Sequence, residues 1–235
     1  RAGAPPAVVT ASDQPSEYPP IPAATVVLVR DGPDGIESLM LHKNSKLAFG
    51  GMWVFPGGRV DPGDRAGAAD DGDAARRAAV REAGEEAGLE VDPVSMVWFS
   101  HWLPPSIAPK RFATWFFIAP APSGDVTIDG GEIHDSAWMR PGDALARRDA
   151  LEIELAPPTW MTLHHLAEFD TVDELLADAR QRTPVFYETR VAKGPDGLTA
   201  MWRGDAGYES GEPATPGPRH RLRIDAGPWR LERTI

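Results

Sequence analysis

The sequence predicts an α+β fold, on three observations. Short β-branched and aromatic runs recur between Gly- and Pro-rich turns; strong helix formers interrupt them over residues 74–87; and further strand-like segments follow Pro184. The chain has 235 residues, 42% hydrophobic and 25% charged, which fits one globular domain with an extension and excludes disordered, collagenous and membrane-spanning classes. It has no cysteine, which removes disulfides, thiolate nucleophiles and Cys-based metal sites. A net charge of -11 opposes sequence-independent binding to nucleic acid or to an anionic bilayer. An anionic substrate must therefore meet a local cation or a metal. No run approaches the length of a membrane span, and residues 1–20 lack the apolar stretch of a secretory signal. The expectation is a cytoplasmic protein with no nucleic-acid or membrane partner.

Residues 1–20 hold five prolines and few large apolar side chains, and read as a loose N-terminal arm. Residues 21–183 are expected to form the main domain and residues 184–235 a small β extension packed on it. Residues 24–30 (ATVVLVR) and 38–42 (SLMLH) flank the turn signal Asp31-Gly32-Pro33-Asp34-Gly35 and predict a hairpin. A third strand at 52–55 (MWVF) is expected to stop at Pro56-Gly57-Gly58, followed by a polar loop without core residues up to Asp73. Residues 74–87 predict a helix with Asp73 as N-cap and Gly88 as its C-terminal stop. Strands are expected at 94–99, 112–119 and 133–139, and helices at 141–148, 158–167 and 172–182. Four strand-like segments in the tail (PVFYETR, LTAMW, RHRLRID, WRLERT) complete the reading, with Trp202 and Trp229 as packing residues.

The chemistry concentrates in residues 81–89, REAGEEAGL. On a helix Glu82 lies one turn before both Glu85 and Glu86, so three carboxylates gather on one side with spacings of about 5–6 Å. Like charges so placed repel by roughly 0.2–0.5 kcal/mol per pair in water, and more when partly buried. Two readings compete: a solvated helix face balanced by Arg76, Arg77 and Arg81, or a site for a hard divalent cation, which prefers oxygen ligands. Pro56-Gly57-Gly58 at a strand end and Gly88 directly after the acids favour the second, because glycines admit close backbone approach to a ligand.

Residues 81–89 resemble the core RE-U-x-EE-x-G-U of the Nudix hydrolase signature, with Ala83 and Leu89 in the apolar positions. Asp73 stands where a glutamate is usual. Gly58 is taken as the signature glycine because it ends a strand, which implies a nine-residue insertion in the loop; Gly67 fits the literal spacing. The stretches LMLHKNSKLAFGGMWVFPGGRVDPGD, HWLPP…KRFATWFF and APPTWMTLHHL are similar to the branch that includes the animal peroxisomal coenzyme A diphosphatase. Ala113 departs from that branch, where an acid is usual.

The resemblance implies an α/β/α sandwich with a mixed sheet, plus a helical and β-strand C-terminal extension. It implies Mg²⁺ or Mn²⁺ held by Glu82, Glu85 and Glu86, with one of the last two also orienting or deprotonating the attacking water. Arg81 is implied as an orienting residue, since its pKa excludes base work. Glu132, or Asp135 nearby, is the candidate for a further acid from a later loop, against a plain strand-flanking role. Gly57 and Gly58 are implied near the substrate. Lys110 and Arg111, beside Phe112, Trp115 and Phe116, read either as a phosphate or adenine contact or as a loop-edge cation pair. His101 is a candidate for the cleft wall, His42 reads as a strand residue, and adjacent His164 and His165 diverge by about 100° on a helix and do not share a metal.

The implied activity is metal-dependent hydrolysis of a pyrophosphate bond in a nucleoside diphosphate linked to another group. Coenzyme A or acyl-coenzyme A is the first expectation; ADP-ribose, NADH and nucleotide sugars are alternatives, as is an inactive ligand-binding or regulatory module of the same fold. The expected partner is a small nucleotide substrate. A homodimer, frequent among such proteins, is the expected assembly if the strands after Pro184 form an interface.

Overall fold

The computed structural model describes residues 19–44, 49–108, 110–128, 130–194 and 197–234. All but Pro19 and Pro20 of the expected N-terminal arm lies outside them. The described residues divide into two compact units: a larger one within Pro22–His101 and Ala113–Val185, and a smaller one that unites those of Trp102–Phe112 with those that follow Val185 and the few that precede Pro22.

In the larger unit, β1 (Ile21–Gly32) and β2 (Gly35–Lys43) form the hairpin, with Gly32 opposite Gly35. β3 (Met52–Val54), β4 (Gly57–Arg59), β5 (Val97–Leu103), β6 (Phe112–Pro120), β7 (Ile133–Met139) and β8 (Glu154–Leu155) continue the sheet. Its order is β8-β3-β2-β1-β6-β5, with β4 paired on β1 and β7 on β2. β3 and β8 run parallel whereas β1–β2, β2–β3 and β2–β7 are antiparallel, so the sheet is mixed as expected.

The principal helix, α2 (Asp71–Ala87), follows a one-turn helix α1 (Pro62–Arg65). α2 buries an alanine stripe (Ala75, Ala78, Ala79, Ala83, Ala87) against Leu28, Leu39, Leu41 and Phe117 of the sheet. Small side chains let the helix axis approach the strands closely and so set the depth of the carboxylates that follow. The alternate strand residues Val27, Val29, Met40, Phe116 and Ile118 are equally buried, so both faces of the sheet are covered. Helices α3 (Pro141–Asp149), α4 (Pro157–Leu166) and α5 (Val172–Gln181) add buried Ala144, Leu163, Leu166, Leu175 and Leu176.

Four sequence expectations are corrected. α2 starts at Asp71, and Asp70, not Asp73, is its N-cap: the extended backbone of Asp70 lets its side chain accept the Asp73 N–H at 2.8 Å. Gly57-Gly58 does not end a strand but forms β4, with Gly57 opposite Thr25 and Gly58 opposite Ala24. A Cβ on Gly57 would overlap Thr25 and the Ala24 carbonyl, so only glycine permits this pairing. The stretch before α2 is not loop throughout: it carries the one-turn helix α1, which places the polar Asp64 inside at 7% exposure. The strand expected at 94–99 runs instead over Val97–Leu103, because Asp92 draws Val94 and Ser95 into a turn.

The smaller unit holds β9 (Val185–Glu188) and a four-stranded antiparallel sheet of β10 (Arg190–Gly194), β11 (Gly197–Met201), β12 (His220–Ile224) and β13 (Arg230–Arg233) in that order. Its centre is aromatic: Trp102 stacks on Tyr187 at 3.9 Å, and Trp202, fully buried, meets both edge-on. Asp205 beside it accepts the N–H groups of Gly207 and His220 and the guanidinium of Arg221, so this buried carboxylate has both a counter-charge and hydrogen bonds.

Candidate active site

The C-terminal half of α2 ends at Gly88, whose left-handed φ of 67° closes the helix through its N–H to Ala83 and Gly84. The last turn carries no basic residue, so Glu82, Glu85 and Glu86 face the negative end of the helix dipole as well as each other. Their neutralisation comes from elsewhere in the fold.

Glu86 is the deepest of the three, its side chain 4% exposed. One oxygen accepts the Gly57 N–H at 2.9 Å, and the other lies 3.0 Å from Lys43 Nζ. Burial pushes the Glu86 carboxyl above the usual range, against the opposing pull of Lys43 and of the Gly57 amide. Glu82 is 14% exposed and is also raised by burial, with Arg81 opposing. Its carboxylate fills the place that a Cβ on Gly58 would need, so Gly58 is required for Glu82 to sit where it does. Glu85, at 61% exposure, projects outward onto Arg81 at 2.9 Å.

Arg81 is the organiser. Its guanidinium donates to Asp64, Glu82, Glu85 and the Arg59 carbonyl, tying α1, α2 and β4 together. The Asp64 hydrogen bond above all raises its pKa, so it stays cationic and has no proton to exchange.

Glu82 and Glu86 thus lie against Gly58 and Gly57, Glu85 is held beside them only through Arg81, and Glu132 approaches through Lys43, whose Nζ is 3.7 Å from Glu132 Oε2. Asp135 instead lies opposite His42 in the β2–β7 pairing, its carboxylate accepting the Ser136 N–H at 2.8 Å. Asp73 bonds the Ala69 N–H and Arg77, both at 3.0 Å, as a brace for the first turn of α2.

His101 is not brought into this cluster, and Lys110 and Arg111 belong to the smaller unit. Arg111 is buried with its guanidinium on the Pro104 carbonyl at 3.1 Å, and exposed Lys110 lies over the Phe112 ring at 5.2 Å. Two of the Arg111 donors, Nε and Nη2, serve the loop that precedes β6, in keeping with the loop-edge reading of this cation. His101 sits 5.1 Å from Trp115, which abuts Gly72 in the first turn of α2. At 1.5 Å rise per residue, that turn is about 15 Å along the axis from Glu82. Burial lowers the His101 pKa and keeps the ring neutral.

Two residues that the sequence reading did not select are integral to the cluster. Lys43 ends β2, and Asp64 sits in the stretch that was expected to be a polar loop without core residues. Lys43 was legible in principle, two and four residues beyond Leu41 and Leu39, which share one face of the strand; Asp64 carried no such signal.

The donors suit a hard divalent cation: buried Glu86, half-buried Glu82 and mobile-length Glu85 offer carboxylate oxygens and no soft ligand. As the side chains stand, no three acidic or histidine groups converge on one point among the described residues, because Arg81 and Lys43 divide the carboxylates between them.

A NUDIX domain family model matches residues 19–159. Among solved structures, a NUDIX hydrolase from Alicyclobacillus acidocaldarius is similar at 22% identity and a TM-score of 0.63, over 68% of this chain and 97% of that one. The NUDIX domain of Shewanella oneidensis NrtR, solved with ADP ribose, gives 16% identity and a TM-score of 0.49 over 64% and 88% of the two chains. A C. elegans Ap4A hydrolase gives 24% and 0.43 over 63% and 99%. No curated protein sequence matches the chain.

Proposed function

Because the chain belongs to the NUDIX family, whose hydrolases act on phosphorus anhydrides, we propose that it hydrolyses the pyrophosphate of a nucleoside diphosphate linked to another group, with Mg²⁺ or Mn²⁺ as cofactor. The observation that carries this reading is the pairing of Gly58 with Glu82 and of Gly57 with Glu86: two glycines of β4, without side chains, admit one half-buried and one buried carboxylate against the strand.

Glu82, Glu85 and Glu86 would hold the metal. When bound, it supplies charge neutralisation for the pyrophosphate oxygens and lowers the pKa of a water. The remaining roles fall to the chain. Gly57 orients Glu86 through its N–H. Arg81 holds Glu82 and Glu85 on the same side of α2. Glu85, the exposed acid of the set, would accept a proton from the incoming water, and Glu132, from the loop before β7, would be the further acid; its approach to Lys43 supports that reading.

Coenzyme A or acyl-coenzyme A is the proposed substrate, supported by the sequence likeness in the segments around β2–β4, β5–β6 and α4. The test is release of nucleotide product from coenzyme A, ADP-ribose, NADH and dinucleoside polyphosphates, each with Mg²⁺, with Mn²⁺ and with chelator. Metal-dependent turnover with coenzyme A preferred is the expected result. Turnover that survives the chelator overturns the metal assignment, and preference for another substrate overturns the coenzyme A reading alone. No turnover of any substrate, in a protein that binds Mn²⁺, would favour a ligand-binding module.

A further inference from the structure

The carboxylate cluster contains a resident cation that the reaction as proposed does not use. Along β2, Leu39 and Leu41 face the core beneath α2, and the next residue on that face is Lys43. The side chain that continues an apolar stripe is thus an ammonium, 13% exposed, aimed at Glu86 from across the helix–sheet interface. A carboxylate as deep as Glu86 is not tolerated without a partner, and Lys43 is its cationic one. Lys43 also has a second seat: Glu132 Oε2 lies 3.7 Å from the same nitrogen and, at 59% exposure, has room to follow it. A lysine stem with three rotatable donors can move between seats this close without backbone movement; the rigid fork of an arginine could not.

We propose that Lys43 is a placeholder counter-ion of the metal site. It neutralises Glu86 in the metal-free protein, competes with the divalent cation for Glu86 Oε1, and passes to Glu132 when the cation binds. The inference rests on the reading of Glu82 and Glu86 as metal ligands. Its consequence is that the metal meets only the fraction of molecules in which Lys43 has left Glu86, so the apparent affinity is weakened by that fraction. The cost is offset in the metal-free state, where the ligand set stays folded and oriented.

Mn²⁺ binding to the full chain, followed by electron paramagnetic resonance of free Mn²⁺ and by thermal unfolding with and without chelator, tests this without recourse to turnover. Lys43→Met should bind Mn²⁺ about tenfold more tightly than the parent, on the order expected when a competing occupant is removed. It should melt lower than the parent in chelator and recover most of that difference in saturating Mn²⁺. Lys43→Gln, which drops the charge but keeps a donor for Glu86, should show the same tighter binding and covers the case in which Lys43→Met does not fold. Glu132→Gln should weaken Mn²⁺ binding several-fold in the parent by removing the second seat, and should have no effect in a Lys43→Gln background. Unchanged or weaker Mn²⁺ binding in the neutral Lys43 variants overturns the placeholder role. Loss of affinity from Glu132→Gln that persists without Lys43 overturns the transfer to Glu132. Failure of the parent itself to bind Mn²⁺ overturns the metal reading beneath both.

Discussion

Arg81 and Asp64, on α2 and α1, meet through two hydrogen bonds: Nε to Oδ1 at 3.2 Å and Nη2 to Oδ2 at 3.0 Å. The guanidinium is thereby fixed in plane, and its remaining donors point at Glu82, Glu85 and the Arg59 carbonyl. Asp64 acts on the carboxylates through Arg81, which makes it a positioning residue. Asp64→Ala should cost about 2 kcal/mol, as loss of a hydrogen bond to a charged group does. It should also lower kcat about tenfold or more while KM changes little. Urea unfolding and steady-state kinetics check the two effects, and a stability loss with kcat unchanged would reduce Asp64 to a structural brace.

Gly58→Ala is a sharper probe of the same site. Its methyl would occupy the position of the Glu82 carboxylate, which must then move. We expect Mn²⁺ affinity and turnover to fall together by at least tenfold. Gly67→Ala is the companion: no atom lies near its added methyl, though its φ of 69° makes the change mildly destabilising. It should leave metal affinity unchanged. Equal effects on metal binding would show that Gly58 is not specific to the site.

Metal affinity should depend on pH in a defined direction. Burial raises the Glu82 and Glu86 carboxyls above their ordinary values, and ligation requires both ionised. Lowering the pH from neutral should therefore weaken Mn²⁺ binding earlier than ordinary glutamates would predict. Isothermal titration at several pH values measures this, with net proton release on binding at the acidic end. Affinity flat down to pH 4.5 would contradict the burial of these acids.

In the smaller unit, Asp205 and Arg221 form a buried pair with Asp205 fully enclosed and Arg221 3% exposed. Burial pushes the Asp205 carboxyl up, but Arg221 and the His220 and Gly207 amides outweigh it, and the net shift is downward. A depressed carboxyl contributes stability above the ordinary aspartate pKa, which is lost as the pH falls through the lower folded value. The β10–β13 sheet should thus hold to below about pH 4 and then melt steeply. Asp205→Asn, which leaves Arg221 buried without its counter-charge, should cost about 3–5 kcal/mol and remove that acid transition. Circular dichroism against pH for both proteins decides it.

At the far end of α2, Asp70→Ala should cost about 1 kcal/mol through loss of the cap to the Asp73 N–H. Asp73→Ala should cost less, because its bonds to Ala69 and Arg77 are exposed.

Much of this molecule was legible in order along the chain. The hairpin β1–β2, the body and C-terminal stop of α2, β6, β7 and the tail strands β9, β11, β12 and β13 follow from local rules (alternation, turn residues, a left-handed glycine), whereas β10 was not foreseen. Boundaries slipped where a short polar side chain chose between neighbours, as when Asp70 rather than Asp73 capped α2. β8 escaped because a two-residue strand has no period; it exists only through its parallel pairing with β3.

By itself, the sequence determined that Glu82, Glu85 and Glu86 share one side of a helix and that this costs repulsion, because a 3.6-residue turn leaves no alternative. What only the tertiary structure decided is who answers that repulsion. Lys43 and Asp64 reach the cluster from other elements, because ionic partnerships are settled by distance and burial in the packed molecule and not by position in the chain.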